Sequence, residues 1–145
     1  MSLTIRLAEA GDQGRCLELL NLLVGVSDNK HETFDAKTFN ELISNTRGSL
    51  VIVEERSDLL GMASISFNLA LRNNGEDCQI EELVVDPRPR GKNVGGLLLE
   101  ESIRMAKARG CKEFGLYLLE STKHNEPFYA KYGFVNLGAE MRQTL

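Results

Sequence analysis

Three features of this chain combine residue types and spacing that could do chemistry: adjacent carboxylates at Glu81 and Glu82, a tyrosine at 129, and a glycine-rich junction running from Arg90 to Gly96. The junction follows an apolar run, Leu83-Val84-Val85, and an Asp86-Pro87 stop, and it opens the clearest helical pattern in the chain. Unpaired N–H groups at a helix start point outward together and carry partial positive charge. A phosphate or pyrophosphate fills such a place naturally. Gly91, Gly95 and Gly96 allow close backbone approach, and Arg90 and Lys92 add to the field. A turn and tight helix packing alone would use the glycines but not the two basic residues. The Walker pattern is absent, because Lys92 follows Gly91 directly and no serine or threonine comes next; G-x-G-x-x-G is absent too.

The carboxylates sit in Ile80-Glu81-Glu82-Leu83-Val84-Val85, a strand pattern. Successive strand side chains face opposite ways, so Ile80, Glu82 and Val84 are expected on one face and Glu81, Leu83 and Val85 on the other, unless a bulge intervenes. A carboxylate on a central strand needs a partner. One of the two is expected to reach a cleft, Glu82 in preference to Glu81. A salt bridge to a neighbouring loop is the structural alternative for either. The histidines, His31 and His124, have no third ligand at metal spacing, and Cys16, Cys78 and Cys111 form neither a zinc pattern nor an even disulfide set. No metal site is expected, and the cysteines read as reduced.

These residues need elements to carry them. Thr4 to Ala8 reads as a short strand. Asp12 then caps a helix with Cys16, Leu19, Leu20 and Leu23 at helical spacing, ending at Gly25. Residues 26–34 read as a polar loop containing Asp28, His31 and Glu32. A shorter helix from Asp35 buries Phe39, Leu42 and Ile43. Leu50 to Val53 and Met62 to Leu69 form a hairpin around Arg56 to Asp58, and Asn73-Asn74-Gly75 marks the next turn. After the strand with the carboxylates, a helix runs from Val94 to Arg109 with Gly110 as its cap. Phe114 to Leu119 is a further strand, Pro127 starts a short helix ended by Gly133, and the tail from Phe134 is expected to give one or two short strands. Hairpins followed by strand–helix–strand–helix imply an α/β fold with a mixed sheet and helices on both sides.

The 145 residues fit one domain, 1–145, and 42% apolar with 26% charged residues is a globular composition. A net charge of −4 offers no broad basic surface, so nucleic acid is not an expected partner. No apolar run is long enough to span a membrane, and Met1 to Arg6 lack a secretory pattern, so a cytoplasmic protein is expected.

Arg90-Gly91-Lys92-Asn93-Val94-Gly95, coming after Leu83-Val84-Val85-Asp86-Pro87, resembles the acetyl-coenzyme A signature of the GNAT N-acetyltransferases, Q/R-x-x-G-x-G/A. Asn93 stands where the first motif glycine would be. Downstream, Phe128-Tyr129-Ala130-Lys131-Tyr132-Gly133-Phe134 resembles the family's F-Y-x-x-x-G-F segment, with Thr122 and Asn125 at positions where the family often has asparagine and alanine. The resemblance implies a mixed, mostly antiparallel sheet flanked by helices, with acetyl-coenzyme A as cosubstrate. It places the pyrophosphate on Arg90, Gly91, Lys92, Asn93, Val94, Gly95 and Gly96, and the pantetheine arm along Leu83, Val84 and Val85. Glu82, in preference to Glu81, becomes the candidate general base or ammonium anchor, Tyr129 the candidate acid for the departing thiolate, a Val84–Val85 backbone N–H the oxyanion donor, and residues 26–34 part of the acceptor side. The expected reaction is acetyl transfer to a primary amine, weakly favouring a small molecule, by direct attack in a ternary complex. The alternatives are a protein N-acetyltransferase and a coenzyme A-binding sensor or assembly protein without turnover. A homodimer fits the resemblance as well.

Overall fold

The computed structural model describes residues 2–26, 36–88 and 91–145. Among these residues five strands form one sheet in the order β1-β2-β3-β4-β5: β1 Thr4–Leu7, β2 Gly48–Glu55, β3 Asp58–Ala70, β4 Gly75–Val85 and β5 Phe114–Gly115. The first three pairings are antiparallel and β4–β5 is parallel. The fold is therefore a mixed α/β arrangement with a mostly antiparallel sheet. Its helices are α1 Gln13–Val26, α2 Ala36–Ser44, α3 Val94–Arg109 and α4 Glu126–Ala130. No described helix is long and apolar enough to cross a membrane.

Strand alternation sorts the core into two layers. Leu50, Ile52, Met62 and Val84 face α1 and α2, where they meet Cys16, Leu19 and Phe39. Val51, Val53 and Ala63 face the other way, onto Val94 and Leu98 of α3, and Leu83 packs against them. Farther along the same face, Ile65, Phe67, Cys78 and Ile80 pack on Leu99 and Ala106. Removing apolar area from water in this way is the main driving force for the fold. Phe128, Tyr129, Tyr132 and Phe134 pack at the margin of that last cluster, their rings meeting edge to face.

Turn chemistry sets the register. Arg56 and Ser57, both left-handed at φ 52° and 67°, join β2 to β3 as a two-residue hairpin. Left-handed Asn74 precedes β4. A bulge in β4 determines where the two carboxylates point: Ser64 pairs with Glu82 but Ile65 pairs with Ile80, so Glu81 is the extra residue.

Several expectations are corrected. Gly25 lies inside the last turn of α1, not beyond it. Asp12 precedes α1 in a short 3-10 turn, Ala10–Asp12, where its carboxylate accepts the Glu9 N–H at 2.7 Å and pairs with Arg6. The strand expected from Phe114 to Leu119 pairs only at Phe114 and Gly115, because beyond Gln79 the chain leaves β4 and loses its ladder partner. No strand forms in the tail: Val135, Leu137 and Met141 are 75%, 89% and 96% exposed, and an apolar pattern without a partner backbone makes no ladder.

A candidate acetyl-transfer site

The β4 bulge overturns the simple face assignment for the carboxylate strand. Ile80 packs with the α3 layer, as Leu83 does, while Val84 joins the α1 layer. Glu82 follows Val84 to the α1 side, so Ile80 and Glu82 do not share a face. With this inserted residue, Glu81 and Glu82 both line one cavity of about 530 Å³. Its walls come from α1 and α2 (Cys16, Leu20, Phe39, Leu42), from β3 (Met62, Ser64), and from Leu116 to Leu119. Tyr129, Thr122, Asn125 and Arg142 line it as well.

Each carboxylate is held by a serine of β3. Ser64 Oγ donates to Glu82 Oε1, and Ser66 Oγ donates to Glu81 Oε2 at 2.6 Å. Burial pushes the Glu82 carboxyl above its ordinary range, partly offset by the Ser64 hydrogen bond and reinforced by the neighbouring charge of Glu81. Burial likewise raises the Tyr129 phenol, which keeps it protonated at neutral pH. Tyr129 lies on α4, whose first turn contains Pro127 and is preceded by the 3-10 turn Glu120–Asn125. Arg142 pairs with Glu140, and its guanidinium lies 5.9 Å from the centre of the Tyr117 ring.

The junction after β4 is fixed from both sides. Asp86, 4% exposed, accepts Arg15 Nη2 at 2.6 Å, Arg88 Nη2 at 2.5 Å and the Arg88 backbone N–H at 3.0 Å. Its carboxyl is consequently held far below the usual carboxylate range, chiefly by Arg88. Arg15 reaches over from α1, where it also donates to Leu59 O. On the far side Lys92 Nζ pairs with Glu55 Oε1 at 2.6 Å, so its ammonium is engaged with the sheet. Arg90, the first residue of the signature, lies outside the described residues, as do Asp28, His31 and Glu32. Gly91 is left-handed at φ 82°, and Asn93 at φ 55° and ψ 36° is the N-cap of α3. Asparagine tolerates that region better than most residues, which is how the chain keeps the turn without the motif glycine.

Gly95 and Gly96 play different parts. A Cβ on Gly95 would make ordinary contacts with Phe128 at 3.5 Å and Val85 at 3.6 Å. A Cβ on Gly96 would collide with the Asn93 amide and the Tyr132 hydroxyl. On the β5 side, the described residues give β4 ladder partners only at Cys78 and Gln79, so the backbone of Leu83 to Val85 presents a free edge beside the start of α3. Sequence reasoning missed Ser64, Ser66, Arg15 and Arg142. The two serines were findable in principle, since they alternate on the strand that pairs with Glu81 and Glu82.

A profile of the acetyltransferase (GNAT) family matches residues 15–134. The chain belongs to this family. Among GNAT relatives, glucosamine 6-phosphate N-acetyltransferase of Arabidopsis thaliana is 30% identical over 94% of this chain and 93% of its own length. Glucosamine 6-phosphate N-acetyltransferase 1 of Oryza sativa subsp. japonica is 31% identical over 94% and 84%. The crystal structure of the Arabidopsis thaliana enzyme superposes with a TM-score of 0.83 at 25% identity, covering 99% of each chain. A transcriptional regulator from Bacillus halodurans C-125 shares the fold with a TM-score of 0.87 at 22% identity, covering 99% of this chain and all of that one. The protein is a GNAT acyltransferase, and the expectation of an enzyme is met.

Proposed function

We propose that this acyltransferase moves the acetyl group of acetyl-coenzyme A to the primary amine of a small phosphorylated acceptor of the amino-sugar class, by direct attack in a ternary complex. One observation carries the reading. Glu81, Glu82, Tyr129 and Arg142 line the same cavity. Carboxylates suit an ammonium and a guanidinium suits a phosphate. A volume of about 530 Å³ is the size of a small-molecule site. The names of the plant relatives supply the acceptor class.

The residues present fit coenzyme A. The free β4 edge at Leu83 to Val85 can pair with an extended amide-bearing arm. The start of α3, with left-handed Gly91 and Asn93 and no side chain at Gly95 or Gly96, can give its N–H groups to a pyrophosphate. Lys92, paired with Glu55, anchors this turn. When bound, acetyl-coenzyme A supplies a thioester carbonyl as the electrophile.

Glu81 holds the ammonium, and Glu82 removes its proton directly or through one water. A carboxyl raised by burial is better matched to that task near neutral pH than an ordinary one. The nitrogen lone pair then forms the C–N bond while a Val84–Val85 backbone N–H meets the developing oxyanion. As the C–S bond breaks, its electron pair leaves on sulfur and Tyr129 gives the sulfur a proton, while the nitrogen loses its second proton, through water, to the Tyr129 phenolate.

The test is thiol release from acetyl-coenzyme A with a panel of glucosamine 6-phosphate, glucosamine, a polyamine, an aminoglycoside and a peptide N-terminus. Glucosamine 6-phosphate should exceed glucosamine by about tenfold or more in kcat/KM, a difference of roughly 1.4 kcal/mol. Arg142→Ala should erase most of that ratio. Preference for the peptide or for an uncharged amino sugar would overturn the acceptor class.

A further inference from the structure

Ser64 and Ser66 each bind one of the paired carboxylates, yet they are not equivalent. Ser66 meets Glu81 at an exposed position. Ser64 is 2% exposed, stands opposite Glu82 in the ladder, and contacts it twice. Its Oγ donates to Glu82 Oε1 and accepts the Glu82 backbone N–H at 3.1 Å. One buried hydroxyl therefore ties both the main chain and the side chain of Glu82 at the point where the bulge turns it into the cavity.

We infer that Ser64 is a positioning residue for acetyl transfer: its hydroxyl aims the Glu82 carboxylate into the cavity and favours the ionised form that takes the amine proton. This rests on the reading of Glu82 as base. An O–H donor stabilises a carboxylate more than a neutral acid, so losing it raises the carboxyl pKa. Burial and the Glu81 charge already push in that direction, and the Ser64 bond is the opposing influence. Among the described residues, the other titratable or charged groups lining the cavity are Glu81 on β4, Cys16 on α1, Tyr129 on α4, Tyr117 in the segment after β5 and Arg142 near the C-terminus. The Cys16 thiol is pushed up to about 11 by burial. Ser64 is uncharged, so replacing it changes the total charge of this set not at all.

Two measurements on the full chain decide the matter. The first is a carbon-13 NMR titration of the glutamate carboxyls, with the Glu82 signal assigned by its loss in Glu82→Gln. Ser64→Ala should raise the Glu82 midpoint by about one pH unit, and Ser64→Thr, which keeps the hydroxyl, should restore it. Ser64→Cys, close in size and a weaker donor, gives an intermediate shift and serves if the alanine variant folds poorly. An unmoved midpoint in both Ala and Cys variants overturns the inference. The second is the pH dependence of kcat/KM with glucosamine 6-phosphate as acceptor. Its acidic limb should move upward with the NMR midpoint, so the loss of rate is largest below the limb. A limb that stays put while the midpoint moves overturns the catalytic part of the inference. A limb that survives in Glu82→Gln overturns the reading of Glu82 as base, whatever the titration shows.

Discussion

The Asn93 carboxamide and the Tyr132 hydroxyl converge over Gly96, filling the space that any Cβ at position 96 would need. Tyr132 comes from the segment just after α4 and packs against Phe128 at 5.4 Å, so this meeting joins the aromatic cluster around Tyr129 to the start of α3. Gly96→Ala should therefore overpack the junction, at a cost of about 1–3 kcal/mol. The loss is read as a lowered Tm together with weaker coenzyme A binding by titration calorimetry. Pairing it with Asn93→Gly, which removes one of the two obstacles, should recover part of both. Full tolerance of Gly96→Ala alone would show that the two polar groups move aside freely.

Gly91 is a different kind of glycine. No heavy atom lies within 4 Å of where its Cβ would stand, so only the left-handed backbone at φ 82° constrains it. Gly91→Ala should cost about 1 kcal/mol of conformational strain without any clash. Gly91→Asn should cost less, since asparagine already serves at Asn93. Thermal denaturation of the two variants ranks them, and equal midpoints would contradict the strain argument.

Tyr129→Phe removes a proton donor while keeping the ring that packs against Phe128 at 5.1 Å and Phe134 at 6.0 Å. The single-turnover transfer rate should fall by roughly 10²–10⁴ while coenzyme A affinity stays within a few-fold and Tm is nearly unchanged. Tyr129→Ala should instead lower stability by about 3 kcal/mol or more through a cavity. An unchanged transfer rate in folded Tyr129→Phe would exclude an essential acid role.

Asp86 gives a stability prediction with a defined sign. Its folded carboxyl is held far below the usual range by Arg88 and Arg15, so it binds a proton less readily than in the unfolded chain. Its contribution is then fully present above about pH 4, the unfolded aspartate value, and is lost as pH falls toward the folded value. Asp86→Asn should cost about 2 kcal/mol at neutral pH, a modest figure because Arg88 is 73% exposed. The gap between native and variant in urea denaturation should shrink steadily below pH 4. A gap independent of pH would mean that the loss is one of packing and not of charge.

The sequence by itself determined most of the elements and the family. The apolar run Leu50 to Val53 and the helical spacing of Leu98, Leu99, Ser102 and Ala106 are local properties, each written within one element. The signature around Gly91 to Gly96 and the Phe128-Tyr129 pair were legible for the same reason, since each lies within a few residues of contiguous chain. The tertiary structure decided what depends on a partner strand or a distant helix. The bulge at Glu81 arises from how β4 pairs with β3, so it reverses the phase of Ile80 against Glu82 without any mark in the local pattern. The tail is apolar enough to read as strand, but no neighbouring backbone pairs with it, and propensity alone makes no ladder. Ser64 on Glu82 and Arg15 on Asp86 join residues 18 and 71 apart, and only closure of the fold brings such groups within hydrogen-bond reach, as it brings Arg142 to the cavity.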